Sequence, residues 1–216
     1  MNGEIRAVLW DFGGVILSSP FEAFNRYEAE RGLPRDFIRS VNTHNPDSNA
    51  WALLERSEVS IDEFDGLFRK ESTALGHAVD GRDVLALLSG DIRPKMVAAL
   101  RRVADSYKTA CLTNNVLSGE GPGMARSAEK AAAVAEIMTI FDAVVESSKV
   151  GVRKPQPEFY KIACDMLGIE PAEAVFLDDL GINLKPAKAL GMRTIKVADP
   201  DDALAELEGH LGIGLR

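Results

Sequence analysis

Four stretches of this sequence end an apolar run, or a turn, in residues that can do chemistry. Ile5–Trp10 runs into Asp11, which is followed by Phe12-Gly13-Gly14. A second run from Tyr107 ends in Thr113-Asn114-Asn115. Lys154 stands inside Gly151-Val152-Arg153-Lys154-Pro155, and Ala174–Leu177 runs into Asp178-Asp179, with Asn183 one helical turn further on. Each has a plain alternative. Asp-Gly and Thr-Asn-Asn suit turns, most lysines are solvated, and a pair of aspartates can cap a helix. Their joint occurrence at strand ends is what singles them out. Parallel strands would bring all four to one edge of a sheet, where open α/β folds bind ligands. Together they supply a carboxylate nucleophile, hydroxyl and amide donors, a fixed cation and further carboxylates. Phosphoryl transfer through an aspartyl-phosphate needs this set. Asp11 attacks phosphorus, and two carboxylates hold a hard, oxygen-seeking cation such as magnesium. The Thr113 hydroxyl and the Lys154 ammonium neutralise the phosphoryl oxygens as charge shifts.

Such a set must be carried by a parallel sheet, and the pattern of the chain predicts one. From residue 93 onward, short apolar runs alternate with helical ones. Strands are expected at Ile5–Trp10, Tyr107–Thr113, Ala143–Glu146, Ala174–Leu177 and Arg193–Val197. Pro94, the pair Pro155 and Pro157, and a segment from about Asp201 mark helix starts. A helix is also expected over Ala128–Phe141, and the glycine-rich stretch Ser118–Gly123 reads as a loop. Residues 34–90 contain no alternating strand and read as short helices. Before them, Phe21, Phe24 and Tyr27 recur at helical spacing and Gly32 suits a C-cap. Ser60 and Glu63 form a capping-box pattern ahead of Ile61, Phe64, Leu67 and Phe68. The expected architecture is a Rossmann-like, three-layer α/β core, residues 1–16 and 91–216, with a helical cap at 17–90 inserted after the first strand. A cap at that point lies over the carboxyl ends of the strands.

Composition narrows the partners. The chain has 216 residues, 46% hydrophobic and 27% charged, enough for a full core without disulfides. Cys111 and Cys164 both lie in apolar segments and read as free buried thiols, which points to a reducing compartment, the cytoplasm. The formal charge is −8 with no long Lys/Arg block, which disfavours nucleic acid and anionic membranes as partners. A small phosphorylated substrate would then need a local positive site. The first residues lack a signal-peptide pattern, and no apolar stretch approaches the length of a membrane span.

Trp10-Asp11-Phe12-Gly13-Gly14-Val15, Leu112-Thr113-Asn114-Asn115, Gly151–Pro155 and Val175–Ala187 together resemble the haloacid dehalogenase superfamily. Within it, the sequence is most similar to the N-terminal phosphatase domain of soluble epoxide hydrolase and to related stand-alone bacterial proteins. The resemblance implies Asp11 as nucleophile and Thr113 and Asn114 as phosphoryl-binding residues. Lys154 would orient the phosphoryl group and the nucleophile. Asp179 and the backbone carbonyl of Gly13 would join Asp11 as ligands of Mg2+, with Asp178 and Asn183 beside them. One position departs from the pattern. Most phosphatases of this superfamily carry a second Asp two residues after the nucleophile, and here that residue is Gly13. The missing general acid leaves three readings open: substrates with good leaving groups, a stand-in such as His44 or a water, or a phosphoryl-binding protein with weak turnover. A dehalogenase is a further, lesser alternative, because the Asp178-Asp179 pair suits a metal that dehalogenation does not need. Asp47 and Glu55 could line the entrance, although nothing in the sequence fixes them there.

Overall fold

The computed structural model describes residues 4–115 and 128–215. Its frame is a five-stranded parallel sheet in the order β3-β2-β1-β4-β5. The strands are β1 (Ala7–Trp10), β2 (Lys108–Thr113), β3 (Ala143–Glu146), β4 (Ala174–Asp178) and β5 (Arg193–Lys196). β1 is central and pairs with both β2 and β4, so every residue from Ala7 to Trp10 is buried. That burial explains the unbroken apolar run Ala-Val-Leu-Trp, which a sheet covered on both faces requires. Val8 and Trp10 point into one layer and Ala7 and Leu9 into the other, following the two-residue period of a strand.

Helices α1 (Phe21–Arg31), α2 (Phe37–Thr43), α3 (Ala50–Glu55), α4 (Ile61–Ala74) and α5 (Gly81–Ala86) come between β1 and β2, as the cap. α6 (Pro94–Ala104) then leads into β2, and α7 (Ala128–Met138) into β3. A one-turn α8 (Ser147–Val150) precedes α9 (Pro157–Leu167), α10 (Gly181–Ala189) follows β4, and α11 (Pro200–Leu211) follows β5. Met96 and Leu100 of α6, Ile137 of α7 and Leu204 and Leu207 of α11 cover one face of the sheet. Phe159 and Tyr160 of α9 and Leu184 of α10 cover the other. The cap has its own core, in which Phe24, Ile38, Leu54, Phe64, Phe68 and Val84 meet. Ser60 and Glu63 close the expected capping box on α4, and Gly32 ends α1 in a left-handed conformation.

Several expectations shift. Ile5 and Arg6 precede β1, Tyr107 precedes β2, Val197 follows β5, and β4 extends to include Asp178. The α7 helix stops at Met138 rather than Phe141. Pro155 does not open a helix: α9 starts at Pro157, whose ring fits the first turn, and Pro155 lies in the preceding loop. The expected loop Ser118–Gly123 lies outside the described residues. No helix among the described residues is long and apolar enough to cross a membrane.

The chain enters and leaves the cap along two linkers that pair with each other. Leu17 and Ile92 form an antiparallel bridge. Ser18 N–H donates to the Asp91 carbonyl at 2.7 Å, and Arg93 N–H donates to the Ile16 carbonyl at 2.9 Å. Gly90 lies flat against this pair, and a Cβ there would sit 2.3 Å from the Ser18 carbonyl oxygen. Gly90→Ala should therefore push the linkers apart and cost about 1–3 kcal/mol, the usual penalty for overpacking. Urea denaturation measures it, and a loss under about 0.5 kcal/mol would mean that the linkers part easily.

Candidate active site

The carboxyl end of β1 delivers Asp11 to the middle of the sheet edge. Its Oδ1 accepts from the Phe12 N–H at 2.6 Å and from the Lys154 ammonium at 2.7 Å. Lys154 Nζ also donates to Asp178 Oδ2 at 2.8 Å. Lys154 comes from the loop after α8, and Asp178 ends β4, so one buried cation ties three separate segments together. Asp178 is fully engaged. Its Oδ1 accepts from Leu180 N–H at 2.8 Å, and Asn183 Nδ2 lies 3.1 Å from both oxygens. Tyr160 of α9 donates its hydroxyl to the Asn183 carbonyl at 2.7 Å and so holds Asn183 in turn.

Asp179 stands on the other side of Asp11, half-buried and pressed against Gly14. Gly14 has φ +83, and a Cβ there would fall 2.3 Å from Asp179 Oδ2. Glycine is therefore required at 14, both for its backbone and for the space it leaves. Gly13 is different: its φ of −73 suits any residue, and a Cβ would meet nothing within 4 Å. The two glycines thus differ in purpose, and only Gly14 serves the turn. Arg93 steadies this turn from the second linker, donating from Nη1 to the Gly14 carbonyl at 2.7 Å.

Thr113 ends β2 beside β1, and its hydroxyl has no hydrogen-bond partner among the described residues. The Asn114 side chain is committed. Its Nδ2 donates to the Lys154 carbonyl at 3.0 Å and lies 3.4 Å from Glu55 Oε2, while its Oδ1 accepts from Lys154 N–H at 2.9 Å. Asn115 clamps the ends of β2 and β3, with Nδ2 donating to Glu146 at 2.8 Å and its backbone N–H to Ser147 Oγ at 3.0 Å. Of the cap histidines, His77 packs edge-on against Phe37 and His44 is exposed at the end of α2. Neither bonds to these site residues. Asp47 is exposed, whereas Glu55 is buried and meets Arg153 and Asn114. The sequence reading missed Arg153, Asn115, Tyr160 and Arg93. Their partners lie far away in the chain; Arg153 and Asn115 stand inside motifs singled out above, yet those motifs named no partner for them.

The electrostatics of this site are unbalanced. Burial pushes the Asp11 carboxyl well above the usual range, and Asp178 and Asp179 add to the rise while Lys154 opposes it. Burial also lifts Asp179, with Asp178 repelling it, to about 6. For Lys154, burial alone would lower the value, but Asp11 and Asp178 outweigh it and hold the ammonium charged. Lys154 and Asp11 both rise, the acid chiefly through burial and the lysine through its paired carboxylates. The lysine gains from Asp11 and Asp178, while Asp11 also meets the like charges of Asp178 and Asp179. Asp11, Asp178 and Asp179 each bring a carboxylate oxygen within 4.8 Å of the others. An all-oxygen set with surplus negative charge fits a hard divalent cation.

Residues 5–191 match the haloacid dehalogenase-like hydrolase family. The chain belongs to this family. It is 33% identical over 227 residues to bifunctional epoxide hydrolase 2 of Sus scrofa, covering 98% of this chain but only 40% of that protein. It is 32% identical over 117 residues to a phosphatase of Mycobacterium tuberculosis, covering 53% of this chain and 49% of the relative. In fold it matches a haloacid dehalogenase family enzyme of Bacteroides thetaiotaomicron in complex with magnesium and inorganic phosphate. The TM-score is 0.57 and the identity 21%, over 89% of this chain and 93% of the other. The parallel sheet and the inserted cap of this haloacid dehalogenase-like hydrolase are those expected from its sequence, and the strand ends named above converge as parallel pairing requires.

The raised value of Asp179 has a consequence for stability. Between 3.8 and about 6, the folded hydrolase keeps a proton that the unfolded chain has lost. Stability of the metal-free protein should therefore fall as pH rises through that window. In chelator at pH 7, Asp179→Asn should be more stable than wild type by on the order of 1 kcal/mol, with a flatter slope below pH 6. Thermal melts across pH measure both, and a variant that is less stable than wild type at pH 7 would contradict the charge surplus.

Proposed function

We propose that this hydrolase is a magnesium-dependent phosphomonoester hydrolase of a small phosphorylated metabolite, working through an aspartyl-phosphate on Asp11. The observation that carries the reading is the Asp11 carboxylate, held by Lys154 at 2.7 Å beside two further carboxylates. The phosphatase relative of Mycobacterium tuberculosis and the magnesium and phosphate of the Bacteroides neighbour support it. Asp11, Asp179 and the Gly13 carbonyl would hold the metal. Asp178 and Asn183 are spent on Lys154 and on each other, so they would act from beside it. Magnesium, when bound, supplies positive charge against the phosphoryl oxygens.

The protein's own groups divide the remaining work. Phe12 N–H and Lys154 occupy Asp11 Oδ1, so in this reading Oδ2 attacks phosphorus. The bond from phosphorus to the leaving oxygen breaks, and its electron pair leaves with that oxygen, which must take up a proton. Water then attacks the aspartyl-phosphate, releasing phosphate and restoring the carboxylate. Thr113 would donate its hydroxyl to a phosphoryl oxygen. Because the Asn114 side chain is committed, its share of phosphoryl binding falls to its backbone N–H. In the same reading the cap runs from 17 to 90 and the core takes 1–16 and 91–216, dividing where the linkers pair. The acidic chain meets a small phosphorylated substrate in the cytoplasm, without nucleic acid or membrane.

No acid stands at Gly13 to protonate the leaving group, and its Cβ direction is open. This favours substrates whose leaving groups need little help, such as aryl phosphates. It also supports the second reading, a phosphoryl-binding protein with weak turnover. With an activated aryl phosphate, wild type should turn over only with magnesium, and Asp11→Asn should lose at least on the order of 10³-fold in kcat. Magnesium-dependent binding of beryllium fluoride without turnover would favour the second reading. Because position 13 accepts a side chain without strain or clash, Gly13→Asp should raise kcat on alkyl phosphates by about 10²-fold and less on aryl phosphates. Equal rates on alkyl phosphates would mean that another group already supplies the proton.

A further inference from the structure

The loop that carries Lys154 is gripped by the cap. Arg153, the residue before it, turns its guanidinium to Glu55 of α3, and the two side chains are 13% and 8% exposed. Arg153 Nη2 also reaches the Pro46 carbonyl of the cap at 3.5 Å. Glu55 is held on its far side by Trp51, whose Nε1 donates to Oε1 at 2.9 Å. The remaining oxygen, Oε2, meets both Arg153 and the Asn114 amide. Asn114 in turn makes the paired bonds to the backbone N–H and carbonyl of Lys154. Further along the same side of the cap, the Ser57 hydroxyl donates to the Ser148 carbonyl at 3.0 Å.

We propose that Glu55 is a positioning residue for Lys154: from the cap, it fixes Arg153 and Asn114, so docking of the cap tightens the loop backbone that carries the cation. The role rests on the reading of Lys154 as part of the phosphoryl site. Each anchor of the 151–156 loop has a clear origin. The core supplies Asp11 and Asp178 at the Lys154 ammonium and Asn114 at its backbone, and within the loop the Gln156 Oε1 accepts from Arg153 N–H at 2.8 Å. The cap supplies both partners of the Arg153 side chain. Undocking the cap strips Arg153 of both and frees one N–H of Asn114. The Lys154 backbone then loses part of its support without any change in the core. Glu55 touches no reacting atom. It links cap position to the geometry at Asp11 through two residues.

The test is hydrogen exchange of the full chain, read on the 151–156 segment and on Asn114–Asn115, for wild type and Glu55→Gln. The substitution keeps the shape and removes the charge. The 151–156 amides should exchange about tenfold faster or more, the size expected for losing a charged hydrogen-bond partner, while α9 and the cap core keep their protection. With an aryl phosphate, kcat per folded molecule should fall by about 10²-fold at most and KM should stay within about twofold. Glu55→Met with Arg153→Met leaves no lone buried charge, and such pairs usually fold. That double variant should melt near the wild-type temperature and show the same loosened loop. Unchanged exchange at 151–156 in both variants overturns the proposal, as does a uniform rise that includes α9, which would mark Glu55 as merely structural. If wild type lacks phosphatase activity but Glu55→Gln still loosens the loop, the proposed reaction fails while the tether from cap to Lys154 stands.

Discussion

A single buried ammonium holds this site together. Lys154 lies between Asp11 and Asp178, each within 2.8 Å, and is almost fully removed from solvent. Burying a charge is costly, and losing one partner of such a group typically costs about 3–5 kcal/mol. The surroundings reflect that constraint. Asp178 has every lone pair engaged, Asn183 is held by Tyr160, and the Lys154 backbone is held by Asn114. The sheet places these groups, and the cation forces them to agree on position.

The central strand does the rest. β1 has neighbours on both sides, so Asp11 emerges where the strand order reverses between β1 and β4. Directly after it the chain must turn within a space that Asp179 also occupies. Gly14 resolves the conflict by having no side chain and a left-handed backbone. Arg93 then pins the same turn from the second linker. Asp11, the carboxylate facing it and the way into the cap are therefore parts of one local arrangement.

Much of this was legible in the chain before any coordinates. The central strands β1 and β4 are buried on both faces and apolar up to their ends, so Asp11 and Asp178 stood out as interruptions, and Thr113 closed β2 in the same way. Cap helices announced themselves through Phe64 and Phe68 and the Ser60 cap. What stayed hidden shares a physical cause. Glu55 and Arg153 stand 98 positions apart, and a contact across the fold leaves no periodic trace in either segment. Pro155 misled because proline suits both a helix start and an extended loop, and only the packing of α9 decided for Pro157. The two adjacent glycines look alike as letters, yet only one is required by its conformation.

The paired linkers make the cap a detachable piece of chain. Its two ends come together beside the Leu17–Ile92 bridge, so the core's own path hardly registers what is inserted there. Insertions whose ends already touch cost little to accommodate. A core built this way can trade one helical lid for another and so change the molecules admitted to an unchanged Asp11. The exchange has one condition at the far rim: the incoming lid must still present an anion to Arg153.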